Sequence, residues 1–386
     1  MLLAVPMLLV APGVFVNKSS TPKMLAVAVG LCLLLDNRLK RRVAAHVPLF
    51  VFFAVCCLSW FFAADKWVGF AGSPRAPYYG LFGVAVVILA YIGSSEMETE
   101  EIERALLAGA IVLATVAIFQ QIAGRSLIGM GFQNGRSSGL GGSPVMMAAS
   151  LTPCFLVAWH RFRSRWFEPC WAEAAAMVLF LAAITAARAK GAFLSMIVGV
   201  WVYETGGFAR WSGLFAAWLG VNAFVQRGSE PERVELLKIA WKSFKQHPLL
   251  GWGPDNFIYA LIANRTPAYD ALVGKNGQSA AHQDIAQIAV TLGLAGVAAY
   301  LAVLWKLFRA LWSDGLAPAV LAAMLIQAQV NPIPLDVLVI VAVILGSRQL
   351  DAEGCVRIPS WVAPAMMGAA TVLALNDLTP LARSWP

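Results

Sequence analysis

Apolar runs recur along almost the whole of this chain, many of them close to the length that crosses a lipid bilayer. A single hydrophilic stretch, 226–282, is long enough to form a folded unit between them. That pattern leaves few options. Lipid offers no partners for backbone N–H and C=O groups, so spanning segments must bond internally as helices or as a closed barrel. The runs here are continuous rather than alternating, which selects helices. Composition agrees: 59% of residues are hydrophobic and 13% charged, with mean hydropathy +0.70, against about 25% charged in an ordinary soluble domain. The fold class expected is all-α, a polytopic membrane protein.

Spans of roughly 20 apolar residues are read near 1–16, 24–35, 43–63, 77–93, 105–123, 143–159, 170–187, 190–205, 207–225, 283–307, 316–330, 335–347 and 361–376. The first run, MLLAVPMLLVAPGVFV, has no basic n-region and reads as a span rather than a signal peptide. The stretch 170–205 holds two helices only if they meet in a tight break around Arg188. The runs on either side of Asn331-Pro332-Ile333-Pro334 are two short spans or one interrupted helix, so the total is 12 or 13.

Short loops rich in Lys and Arg stay in the cytoplasm. Arg38, Lys40, Arg41 and Arg42 place 36–42 there. Alternation then puts Arg161, Arg163 and Arg165, Lys306 and Arg309, and Arg348 and Arg357 on the same side. The loops 64–76, 124–142, 186–190 and 226–282 face the other side, so the long loop is extracytoplasmic. Three regions follow: 1–225, N-terminal transmembrane helices with external loops carrying Arg136 and Arg188; 226–282, the external loop; and 283–386, C-terminal transmembrane helices. The loop begins with an amphipathic helix over Pro231 to Gln246, with Pro at its start and Pro248 just past its end. Arg233 shares a stripe with Leu237, Ala240 and Phe244 and is expected to point inward. Lys238, Lys242 and Lys245 lie on another face.

The six cysteines, Cys32, Cys56, Cys57, Cys154, Cys170 and Cys355, have neither C-x-x-C nor Cys/His metal spacing and read as small hydrophobes. A net charge of +8 suits basic cytoplasmic loops and anionic ligands. It does not indicate nucleic acid, since no basic run is interleaved with exposed aromatics. No Asp or Glu sits mid-span, so the buried carboxylate that ion-coupled transport usually needs is not expected.

What remains are cations and one histidine at one face. Arg136 lies in the glycine-rich NGRSSGLGGSP, Arg188 in ITAARAKG, Arg233 on the loop helix, and His282 in SAAHQD. Guanidinium groups suit bidentate phosphate binding. With Ser279 as N-cap, His282 would occupy the first helical turn, where the helix dipole favours neutral imidazole able to accept a proton. The plainer alternatives are headgroup contacts for the arginines and a capping or surface role for the histidine. His247, in HPLLGWGPDNF, reads as structural, a turn after a helix. His46 and His160 fall on the cytoplasmic side.

HPLLGWGPDNF followed by AAHQD and a span opening with LGLAG resembles the signature of the bacterial O-antigen ligase and polymerase family. ITAARAKGAFLS and GRSSGLGGSP resemble that family's arginine-containing segments. The resemblance runs from about 130 to 305. It implies a GT-C-type glycosyltransferase of the bacterial inner membrane, with its active site facing the periplasm. Such an enzyme joins a glycan from an undecaprenyl-diphosphate carrier to an acceptor sugar hydroxyl. Arg188 and Arg233 would hold the donor diphosphate with Arg136 in support, and His282 would be the base. Family members often have Asn where this chain has Gln283. No acidic D-x-D-like pair lies nearby, so no metal or other cofactor is expected, and back-side attack would invert the anomeric centre. A ligase would transfer to lipid A-core, a polymerase to another carrier-linked glycan. Other readings are a protein-directed oligosaccharyltransferase, a transporter or lipid flippase lined by the arginines, and a scaffold without activity.

Overall fold

A computed structural model describes residues 47–73, 80–95, 97–126, 132–140, 143–165, 170–205, 231–274, 280–330 and 333–348, together with Gln278 and a few positions within 212–220. The spans expected at 1–16, 24–35 and 361–376, and most of 207–225, lie outside the described residues. The helices are α1 (Val47–Phe61), α2 (Lys66–Ala71), α3 (Leu81–Ser94), α4 (Thr99–Ala123), α5 (Pro144–Ser164), α6 (Trp171–Ala186), α7 (Lys190–Glu204), α8 (Pro231–Gln246), α9 (Phe257–Asn264), α10 (Pro267–Val273), α11 (Asp284–Leu311), α12 (Leu316–Ala328) and α13 (Leu335–Ser347). One small hairpin, β1 (Phe132–Gln133) and β2 (Arg136–Ser137), precedes α5.

Three helices, α4, α5 and α11, are long and apolar enough to cross a membrane, at 25, 21 and 28 residues; α1, α3, α6, α12 and α13 are shorter apolar helices. Large apolar side chains also point outward along the bundle, among them Ile111, Phe119, Val178, Ile197, Leu301 and Trp305. Such a surface is stable against lipid and not against water. The chain is an all-α polytopic membrane protein.

The expected alternation is visible in the packing. Glu103 at the start of α4 pairs with Arg161 near the end of α5 (3.3 Å) and with Arg348 just past α13. Arg348 also holds Asp314 before α12 (3.0 Å), Arg161 holds Glu173 at the start of α6 (3.5 Å), and Arg163 holds Glu204 at the end of α7 (2.9 Å). Six helix ends expected on one side therefore meet in one network. The Arg348–Asp314 pair also joins the start of α12 to the end of α13, so these two run antiparallel. The Asn-Pro-Ile-Pro break separates two helices that double back, not one interrupted helix.

At the opposite end, the long hydrophilic loop builds a small cap with its own core of Leu236, Ile239, Ala240, Phe257, Ala260, Leu261, Tyr269, Ala281 and Val290. The helix read at 231–246 is α8. The short helices α9 and α10 have no counterpart in the sequence reading, although Thr266 caps α10 and Pro267 opens it as such residues do elsewhere.

The segment His247 to Gly253 anchors this cap to the bundle. Inside α11, Gly293 has φ 66° and ψ −164° and breaks the helix. Such a break exposes carbonyls before it and amides after it. The loop supplies their partners: Trp252 and Gly253 amides donate to the Val290 and Thr291 carbonyls (2.9 Å each), and the Leu294 and Ala295 amides donate to Pro248 and Leu249 (2.8 and 3.2 Å). Ser59 of α1 adds hydrogen bonds to the Leu250 and Thr291 carbonyls, at 2.6 and 3.1 Å. The two backbones cross so closely that a Cβ on Gly251 would lie 2.4 Å from the Thr291 carbonyl carbon, and one on Gly293 2.3 Å from that of Leu249. HPLLGWG and LGLAG are two halves of one backbone joint.

The loop after α1 docks on the same cap. Asn256 accepts from the Asp65 amide and donates to the Asp65 carbonyl, while the Tyr259 hydroxyl donates to the Asp65 carboxylate (2.5 Å). Burial works to raise the Asp65 carboxyl. The hydrogen bonds from Tyr259 and from the Val68 and Trp67 amides outweigh it and hold the group below the usual carboxylate range. The same bond to Asp65, with burial behind it, pushes the Tyr259 phenol up to about 12.

Candidate active site

Each arginine stretch reaches the cap end by its own local geometry. Asn134 and Gly135, both at positive φ, form the two-residue turn of the β1–β2 hairpin, with Gln133 opposite Arg136. Asn-Gly is the sequence favoured for that turn. The hairpin presents Arg136, half-buried, whose Nε donates to the Ala187 carbonyl at 2.7 Å. This bond fastens the hairpin to the break between α6 and α7, one residue before Arg188.

The break is as tight as the sequence requires. Helix α6 ends at Ala186, α7 starts at Lys190, and Arg188 turns the corner at φ 50°. Arg188 is exposed at this corner. Left-handed backbone costs an ordinary residue about 1–2 kcal/mol. Among the described residues only four non-glycine residues have positive φ: Asn134, Arg188, Asp255 and His282. Asn and Asp tolerate that region. The other two are the arginine and the histidine whose chemistry stands out in the sequence, and strain of this kind concentrates at functional sites.

His282 is placed differently from the sequence reading. Helix α11 begins at Asp284, and Gln283 is its N-cap, its side chain accepting from the Ala286 amide. His282 therefore stands one residue before the cap, half-buried at φ 54°, and not in the first turn. Ser279, the expected cap, lies outside the described residues. The helix starts later than expected, and Gln283, the residue before it, caps the Ala286 amide. Gln283 thereby has a definite role, capping α11 and donating to the Gln329 side chain past the end of α12 (3.0 Å).

Arg233 is also corrected. The buried face of α8 is Leu236, Ile239, Ala240 and Ser243, while Leu237 and Phe244 are only half-buried. Arg233 lies half-buried at the margin of that face, because the cap core sits about one residue off the stripe drawn from sequence. Lys238, Lys242 and Lys245 are exposed as expected.

A hydrogen-bonded path links the two. His282 Nε2 lies 3.3 Å from Gln278 Oε1, and Gln278 Nε2 donates to Glu232 Oε1 at 2.6 Å, on the residue before Arg233. Neither Gln278 nor Glu232 stands out in the sequence, where a loop amide and a helix-start carboxylate carry no special signal.

The expectation that no carboxylate would be buried is overturned. Glu103, Asp284 and Asp336 are 6%, 1% and 2% exposed. All three lie near helix starts. Position along a helix gives depth in the bundle, not how closely neighbouring helices wrap it, and that wrapping is what buries them. Asp284 accepts from the Tyr300 hydroxyl at 2.6 Å. The four described cysteines are free thiols, in line with their reading as small hydrophobes.

Residues 139–301 match the family model described as O-Antigen ligase. The match supports the resemblance to the O-antigen ligase and polymerase family carried by the motifs. The matched region takes in Arg188, Arg233, His282 and both halves of the backbone joint, and begins three residues after Arg136. It supports a membrane glycosyltransferase of the ligase/polymerase type. A search of the curated proteins found no match.

Proposed function

We propose that this protein transfers a glycan from an undecaprenyl-diphosphate carrier to a sugar hydroxyl at the extracytoplasmic face of the bacterial inner membrane. The observation that carries the reading is the family match across the stretch where two residues of the proposed machinery, Arg188 and His282, sit in strained left-handed backbone. In this mechanism His282 takes the proton of the acceptor hydroxyl as its oxygen attacks the anomeric carbon. The bond from that carbon to the diphosphate breaks, and the charge it leaves is stabilised by Arg188 and Arg233, with Arg136 in support. Attack from the side opposite the diphosphate inverts the anomeric configuration.

The cations come from the protein, so activity is expected to persist in excess EDTA. Loss of activity in EDTA, restored by magnesium or manganese, would reassign the phosphate site. The acceptor is read as lipid A-core, making the enzyme a ligase. Purified protein would be incubated with carrier-linked glycan and both acceptors, following which gains mass. Transfer to lipid A-core supports the ligase; chain growth on the carrier makes it a polymerase with the same donor chemistry. Transfer to neither, with glycan-lipid crossing a vesicle membrane instead, would favour the flippase reading.

A further inference from the structure

We propose that Gln278 positions the base: it fixes which nitrogen of His282 carries the proton, under the direction of Glu232. This rests on His282 being the base in the proposed transfer. A carboxamide can turn either its oxygen or its nitrogen toward a neighbour, and only its partners decide which. Glu232 decides here, since an ionised carboxylate only accepts. Its Oε1 is 2.6 Å from the Gln278 amide, so that atom must be the NH₂ group. The other end of the amide, Oε1, then faces His282 Nε2 at 3.3 Å and can only accept. Nε2 must carry hydrogen, and the basic lone pair of neutral His282 is on Nδ1.

Gln278 is well held for this. Its backbone amide donates to the hydroxyl of Tyr269 (3.3 Å), whose ring is fully buried in the cap core. The Gln278 main chain is therefore fixed by one contact and its side chain by another. The His282 backbone is fixed separately, between the left-handed corner and the Gln283 cap.

The chemistry follows. As Nδ1 takes the acceptor's proton, the ring becomes a cation, and its Nε2–H donates more strongly to Gln278 Oε1. The Gln278 amide, polarised by Glu232, passes part of that carboxylate's stabilisation to the imidazolium without any further proton transfer. The arrangement has the logic of a carboxylate orienting a catalytic histidine, with an amide interposed.

The test uses full-length protein in lipid nanodiscs, labelled with ¹⁵N-histidine, the His282 signals being assigned by their loss in His282→Gln. Neutral His282 is expected as the Nε2–H tautomer, and Gln278→Leu should give a mixture of both. Gln278→Leu should also lower kcat by about 10-fold, leave KM for the donor unchanged and move the acid limb of the pH–rate profile to lower pH. Gln278→Glu, which keeps an acceptor, should move that limb to higher pH. A neutral His282 protonated on Nδ1, or an acid limb unmoved in both variants, overturns the proposal. The two readings fail separately. Normal turnover by His282→Ala removes the base assignment whatever the tautomer, whereas an inactive His282→Ala with an Nδ1–H ring in the parent protein removes only the role of Gln278.

Discussion

At one end of the bundle, Glu103 is gripped by Arg161 and Arg348, and Asp314, Glu173 and Glu204 each hold an arginine as well. At the other end, order comes mainly from backbone: the loop joint across Gly251 and Gly293, the Arg136 bond to the Ala187 carbonyl, and the left-handed corners at Arg188 and His282. The contrast separates two uses of charge. Arginines at the first end are paired with carboxylates and tie helices together. At the second end Arg136 and Arg188 are placed without a carboxylate partner among the described residues, so a guanidinium there is presented, not neutralised. The second arrangement suits the diphosphate proposed as ligand.

The largest effect should come from the joint. Gly293→Ala or Gly251→Val would drive a Cβ into backbone, at a φ that disfavours any side chain. We expect a loss above about 4 kcal/mol, seen as failure to recover folded protein from detergent. Recovery at native yield would mean that the two backbones have room to move apart.

Next is the ion-paired end. Glu103→Gln leaves two buried arginines short of a partner, at a cost of about 3–5 kcal/mol, read as a fall in unfolding temperature. Surviving protein should keep its KM for the donor, because this end serves structure. A change in KM without a change in stability would blur the distinction between the ends.

Arg188→Lys and Arg233→Lys keep charge but lose the planar fork. Each should slow transfer by about 10²- to 10³-fold, or ~2–4 kcal/mol, with little change in unfolding temperature. Asp65 offers a smaller, pH-dependent effect at the docked loop. Its folded pKa is depressed, so its contribution is present above the ordinary carboxylate value and is lost as pH falls through the folded one. Stability should drop on acidification, and Asp65→Asn, which also weakens the cap of α2, should cost roughly 1 kcal/mol and flatten that drop. An unchanged acid profile in Asp65→Asn would show the bond to Tyr259 to be unimportant. Smallest is Arg188→Gly. It should raise stability by about 1 kcal/mol by relieving the left-handed corner while removing activity, a trade that an arginine kept only for structure would not show.

Much of this is legible in the sequence, for identifiable reasons. Span positions follow from hydropathy, and the break at Arg188 follows from fitting two helices into 170–205. The helix at Pro231–Gln246 follows from its prolines and periodicity. The hairpin has a signal too, in Asn134-Gly135, but one short enough to be submerged in a glycine-rich loop. Tertiary facts are not legible. Which helix start lies wrapped by neighbours decides that Asp284 and Asp336 are buried, and where α11 starts decides that Gln283 caps it. Gln278 and Glu232 gain meaning only from each other and from His282.

The central claim is that guanidinium groups hold the donor while His282 does the proton chemistry. The most direct measurement pairs binding of carrier-linked glycan with single-turnover transfer, for His282→Ala and Arg188→Lys in nanodiscs. The account predicts that His282→Ala binds donor with near-native affinity and transfers nothing measurable, whereas Arg188→Lys loses binding and rate together. His282→Ala protein that inserts, binds and transfers at the normal rate would contradict it.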